Sequence, residues 1–221
     1  MKVAVVGLGL FGKSLAVRLA RGGAQVIAID ANPALVDDVK DDVPVAVALD
    51  ATDEKELRAQ GVQECDVLVA SIGDNFEANQ LLVITAKQIG VKRVVARAPS
   101  AVHGRILRLI GADDVVLPEL EAAERTAMRV VEPSLRGYFQ LIEGHSVVEL
   151  EAPEEFYEKT LGELDLKGRY KVNLVMIIRP VEGGRRTINV VMTGASAILK
   201  GDILALAGRD EDIKKLIEGK G

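Results

Sequence analysis

The sequence predicts an α/β protein: a parallel sheet covered on both faces, then a long helix, then a small α+β unit. Three observations predict it. The motif Gly7-Leu8-Gly9-Leu10-Phe11-Gly12 follows directly on the apolar run Val3-Ala4-Val5-Val6, where a strand would hand over to a helix. Apolar segments rich in Val, Ile and Ala alternate with helical stretches through the first half, with little polar alternation inside the apolar segments. After Pro118 that rhythm stops.

Strands are expected at 2–6, 25–29, 45–49, 66–71, 93–97 and 114–117, with helices between them at 10–22, 33–41, 53–60, 76–89 and 101–110. The first helix carries Leu15, Ala16, Leu19 and Ala20 on one face. Asn32-Pro33 places a cap before a proline at the first helical position. Thr52 is expected to cap the third helix, and Gly61, Gly90 and Gly111 sit where helices would stop. Six strands with five intervening helices describe a Rossmann-type domain.

The segment from Glu119 to about Glu132 has apolar residues at helical spacing (Leu120, Ala123, Ala127, Val130, Val131) and no following strand of the parallel sheet to return to. Beyond Pro133, strands are expected at 146–150, 172–179, 186–192 and 203–207, with short helices at 159–165 and 210–218 and a hairpin turn at Glu182-Gly183-Gly184.

Composition excludes several function classes. Charged residues make up 28% and hydrophobic residues 48%, as in an ordinary globular protein, and the net charge of −5 argues against a nucleic-acid partner. Two His and the single Cys65 cannot build a structural zinc site, and one cysteine forms no intrachain disulfide. Cys65 is expected as a buried small side chain. No apolar run approaches the roughly 18–20 residues that span a bilayer, and no signal-peptide pattern precedes the first strand. A cytoplasmic location is expected, with any membrane role exercised through a partner.

In a glycine motif of this kind the first glycine permits a tight turn, the second lets backbone approach a phosphate, and the third lets helix and strand pack closely. Asp30 ends the second strand 18 residues past Gly12, near the spacing of a ribose-binding carboxylate. The C-terminal ends of the other strands add Asp50-Ala51-Thr52, Ser71-Ile72-Gly73-Asp74 and Arg97 to one candidate pocket. Each also has a plainer reading: Asp50 and Thr52 as helix caps, Gly73-Asp74 as a turn, Arg97 in an ion pair. No catalytic constellation accompanies them. There is no Tyr-x-x-x-Lys pair or serine nucleophile motif, and Lys13-Ser14 follows the glycines at the wrong spacing for a P-loop. His103 is expected in a capping or solvated role.

Val5-Val6-Gly7-Leu8-Gly9 with Phe11-Gly12, Ile29-Asp30, Asp50-Ala51-Thr52, the 71–79 segment and Leu117-Pro118-Glu119 together resemble the RCK domain, the regulator of potassium conductance. The resemblance covers essentially the whole chain, as a Rossmann-type N-lobe (1–118), a crossover helix (119–137) and an α+β C-lobe (138–221). It is most similar to the KtrA/TrkA-type cytoplasmic subunits of bacterial potassium transporters. It implies a homo-oligomer, usually an octameric ring built of dimers, docked under a membrane potassium channel or transporter and responding to ATP/ADP or NAD(H). By the match, Gly7, Gly9 and Gly12 cradle phosphates, Asp30 holds the ribose, Asp50 with Thr52 flank the adenine, and Leu10, Phe11, Ala51, Ser71, Ile72, Gly73 and Arg97 complete the cofactor-binding pocket. Glu119 stands where the family holds a divalent cation such as Mg²⁺, and Arg169 and Asn173 lie where some members bind cyclic di-AMP. Where many members carry Arg, this chain has Leu10, which implies weak ATP-over-ADP discrimination unless Arg97 or Lys13 supplies the charge. The competing readings are a small NAD(P)-dependent oxidoreductase and a nucleotide sensor for a different partner.

Overall fold

Alternate residues of strand β1 (Lys2–Val6) point to opposite faces of a sheet, and both faces are apolar. Val3 and Val5 join one buried cluster, while Ala4 and Val6 join another. Two covers are therefore needed, and the chain supplies them as helices between strands. The computed structural model describes residues 1–131, 133–181 and 185–219, with all of their side chains but that of Arg129. It divides into two compact units, Met1–Ala122 and Ala123–Gly221.

In the first unit, α1 (Leu10–Arg21), β2 (Gln25–Asp30), α2 (Pro33–Asp37), β3 (Val45–Ala48), α3 (Glu54–Ala59), β4 (Val67–Ala70), α4 (Phe76–Gln88), β5 (Arg93–Arg97), α5 (Ala101–Leu109) and β6 (Asp114–Val116) follow one another. All six strands are parallel, in the order β3-β2-β1-β4-β5-β6. Ala16 of α1 and Val36 of α2 cover one face. Leu57, Leu82, Ala86 and Leu107, from α3, α4 and α5, cover the other. Each buried Val or Leu among them contributes roughly 1.5–3 kcal/mol on burial. The strand order reverses direction between β1 and β4, which opens a crevice at their C-terminal ends.

Some boundaries differ from those expected. The second helix stops at Asp37 instead of 41. The cap of α3 is Asp53, whose carboxylate accepts from the N–H groups of Lys55 and Glu56, because Thr52 is engaged with Asp50. Cys65 is buried as expected, and burial pushes its thiol up from the usual range. His103 is packed edge-on against Phe76, with Nδ1 2.7 Å from Ser100 Oγ, the cap of α5.

α6 (Pro118–Val131) runs through the division between the units, with Val130 and Val131 exposed. The second unit then holds β7 (Leu135–Ile142), β8 (His145–Glu151), α7 (Leu161–Leu164), α8 (Leu166–Arg169), β9 (Asn173–Pro180), β10 (Arg186–Asn189), β11 (Ile203–Arg209) and α9 (Asp210–Ile217). The sheet is antiparallel, ordered β10-β9-β11-β8-β7. β7 begins inside the stretch read as crossover helix and linker. Arg136, Gly137 and Gln140 interrupt its apolar residues, and as an edge strand it leaves Phe139, Leu141 and Ile142 exposed, so no buried-strand pattern marks it. The helix expected at 159–165 is two short helices, broken where Asp165 adopts a left-handed conformation at φ 42°. The last hairpin strand ends at Asn189 instead of 192. The expected turn at Glu182-Gly183-Gly184 lies outside the described residues; the flanking strands pair antiparallel, Arg186 opposite Pro180.

Asp202 is fully buried in this unit, at 0% exposure. It accepts from Arg179 Nε and Nη2, each at 2.7 Å, and from the Leu199 N–H at 2.8 Å. Removing the acceptor leaves three donors without it. Asp202→Ala is expected to cost about 3 kcal/mol, the low end for breaking a buried pair, because Arg179 is partly open to water. Amide hydrogen exchange on β9 and β11 measures it, and unchanged protection there would contradict the assignment.

Candidate functional site

The turn from β1 into α1 is fixed by its glycines, each for a different reason. Gly7 lies at φ +92°, and a Cβ there would come within 2.7 Å of the Ile72 N and Ser71 carbonyl carbon. A Cβ on Gly12 would overlap the carbonyl oxygen of Gly7, so α1 and the end of β1 approach only because both are glycine. Gly9 needs neither concession. Its φ is −61°, and a Cβ there would meet nothing within 4 Å.

Gly9 is also the N-cap of α1, and no side chain caps it. The first turn of α1 holds no acid, whereas α3 and α4 carry both a capping side chain and a first-turn carboxylate. The first N–H groups and the positive end of the helix dipole therefore meet neither a capping side chain nor an acid of the helix's own first turn. That is a seat for a phosphate.

Asp30 braces this turn. Its carboxylate accepts from the Leu8 N–H at 2.6 Å and from the Asn32 N–H at 2.8 Å, linking the glycine turn to the start of α2. Each oxygen keeps a lone pair for a hydroxyl. Asp30→Asn presents only one acceptor oxygen to these two donors. It is expected to cost about 1–3 kcal/mol by thermal unfolding and to weaken any ligand that the turn holds. An unchanged melting temperature would show that the two bonds do not brace the turn.

The crevice is a cavity of about 720 Å³, within the usual range of small-molecule sites. Gly7, Gly9, Phe11, Asp30, Asp50, Ala51, Thr52, Ser71, Ile72, Gly73 and Arg97 all line it, as does Asp74. Asp50 accepts from the Thr52 N–H and hydroxyl, at 2.9 and 2.7 Å, and those two bonds hold its carboxyl below the usual range. The buried Ser71 hydroxyl lies 2.7 Å from the Gly7 carbonyl and 2.9 Å from that of Val6, so it braces the glycine turn from β4. Arg97 is the only cationic side chain among the described residues that line the cavity.

Three expected site residues are not in the lining. Gly12 lies behind the turn as a packing position. Leu10 points to solvent, 90% exposed, on an outer groove shared with Lys13, Arg18 and Arg21. Lys13 pairs with Asp38 and supplies no charge to the cavity. Glu119 is held outside by Arg97, whose Nη2 donates to Oε1 at 2.5 Å; the guanidinium keeps that carboxyl below the usual range. Among the described residues no three His, Cys, Asp or Glu side chains gather to hold a metal ion, and Glu119 already has a cation. The residues of this chain alone do not fit a divalent cation there.

Sequence reasoning missed Asn32, Leu35, Asn75 and Ala78, which also line the cavity. Asn32 and Asn75 are the caps of α2 and α4, so the signal was present: a cap at the C-terminal edge of a parallel sheet stands at the mouth of its crevice.

The TrkA-N domain family matches residues 3–118, all of the parallel sheet but its first residue. The chain is 34% identical to Ktr system potassium uptake protein C of Bacillus subtilis (strain 168), over 96% of this chain and 94% of that one. It is 28% identical to Ktr system potassium uptake protein A of the same organism, over 96% and 93%. Among solved structures it is similar to the GsuK channel, with a TM-score of 0.68 and 20% identity over 97% of this chain and 38% of that one, a likeness of fold. The N-terminal match and an end-to-end relative above 30% identity place this chain in the TrkA-N family, among the Ktr-type potassium uptake proteins.

Proposed function

We propose that the chain is a regulatory subunit that binds an adenine nucleotide, ATP/ADP or NAD(H), and gates a membrane potassium channel or transporter as part of a homo-oligomeric ring. The observation that carries the reading is the uncapped, acid-free start of α1 at Gly9, open to a cavity that Asp30 closes on one side. Phosphates take the N–H groups of α1, and the ribose hydroxyls take the remaining lone pairs of Asp30. The full-length likeness to Ktr system potassium uptake proteins supports potassium transport as the process served. No helix among the described residues is long and apolar enough to cross a membrane, and the proposed place of action is the inner membrane face, through the pore subunit.

The proposed role breaks no bond in the nucleotide. Two ring conformations exchange, and a nucleotide that binds one more tightly shifts the balance by its difference in affinity. The test is potassium flux in proteoliposomes carrying a Ktr-type membrane subunit with this chain. Flux is expected to change between ADP, ATP and NADH, and Asp30→Ala is expected to abolish that response while co-purification with the membrane subunit persists. Flux that ignores every nucleotide would overturn the reading.

A further inference from the structure

Arg97 ends β5 at the mouth of the cavity, and its surroundings mark it for more than an ion pair. Its Nη1 occupies the space that a Cβ on Gly73 would take, so the 71–73 loop is shaped around the guanidinium. Gly7 packs on Ser71 and Ile72 of the same loop, which sets Arg97 one loop away from the glycine turn. Its Nε is buried without a hydrogen-bond partner, a cost that nothing else in the cavity offsets. The lining otherwise carries Asp30, Asp50 and Asp74, so an entering phosphate meets three carboxylates and one cation. That cation is already taken by Glu119, on the first turn of α6 and largely exposed.

Resting on the nucleotide-binding reading, we propose that Arg97 is the counterion of a nucleotide phosphate and that Glu119 competes with the ligand for it. When the site is empty, Glu119 holds the guanidinium. A phosphate of higher charge density takes it over, in the bidentate geometry that a guanidinium favours, and the carboxylate is released. Occupancy of the cavity is thus written on the first turn of α6, the helix through which the chain passes into its second unit. Arg97 supplies the positive charge that Leu10 does not, and a divalent cation is not required for binding.

The sign of one substitution decides this. Glu119→Gln removes the competitor, and ADP is expected to bind roughly two- to fivefold tighter, the worth of an exposed ion pair. A metal ligand at that position would give the opposite, a loss of affinity confined to Mg²⁺ buffers. The experiment is calorimetric titration of the full chain with ADP, and with adenosine as a probe lacking phosphate, in EDTA and in Mg²⁺. The tightening is expected for ADP in both buffers and absent for adenosine. Arg97→Gln is expected to weaken ADP at least about tenfold, and Glu119→Gln is expected to add nothing in that background. Unchanged or weaker ADP binding in Glu119→Gln overturns the competition while leaving nucleotide binding intact. Failure of the unaltered chain to bind any phosphorylated adenine nucleotide overturns both. Glu119 is exposed, so its variant folds and decides the matter even where Arg97→Gln does not fold.

Discussion

Gly9→Asp is expected to stabilise the empty protein and to abolish nucleotide binding. Both effects follow from the same vacant position. The backbone at Gly9 has φ −61°, which any residue adopts, and a Cβ there meets nothing within 4 Å. Aspartate is among the best N-cap residues, and α1 has no capping side chain, so the substitution gains about 1 kcal/mol. For a chain of this size that is a rise of roughly 2–4 °C in melting temperature. The same carboxylate occupies the helix N–H groups and sets a negative charge where a phosphate would sit. Two or more charge-assisted hydrogen bonds are lost, and affinity should fall by about two orders of magnitude or more. Thermal unfolding of the empty protein and calorimetric titration with ADP measure the two halves. A variant that melts higher and still binds as before would show that the ligand, if any, sits elsewhere.

Gly12→Ala is the counterpart, with the opposite pattern. Helix propensity alone makes Ala about 1 kcal/mol better than Gly inside α1. The Cβ, however, would overlap the Gly7 carbonyl oxygen and press on Ser71 Oγ. The obstructing atom is backbone, held by β1 and by the Ser71 hydroxyl, and cannot swing aside as a side chain would. α1 must then lift from β1, uncovering Ala16 and the cluster of Val3, Val5 and Val26. A net loss of about 3 kcal/mol is expected, and hydrogen exchange across β1 and α1 would report it. A variant as stable as the parent would show that the turn tolerates a shift that its packing forbids.

The parallel sheet was legible because its signals are local and strong. Each strand is a short apolar run buried on both faces, and each is followed by a turn and a helix. The chemical residues at strand ends were legible for the same reason: the crevice of such a sheet lies at those ends. The second unit was harder to read. β7 is an edge strand whose apolar residues Phe139, Leu141 and Ile142 face outward, so burial leaves no alternation to see. The break at Asp165 depends on a left-handed residue that no pattern announces. Within the site, sequence spacing could not separate glycines that serve the fold from the glycine that serves a ligand. That separation comes from what a Cβ would touch: backbone at Gly7 and Gly12, open space at Gly9. Nor could spacing show that Leu10 turns outward or that Arg97 and Glu119 meet, since the latter two stand 22 positions apart.

Thermal unfolding of the purified chain with ADP, ATP, NAD, NADH and adenosine asks whether the crevice binds a nucleotide. A ligand at about 100 times its Kd adds about 2.7 kcal/mol, a rise of several degrees for a chain of this size. Such a rise is expected with at least one phosphorylated adenine nucleotide, retained in EDTA and lost in Gly9→Asp. A melting temperature that none of them moves would contradict nucleotide binding in the crevice and leave the glycine turn as packing alone.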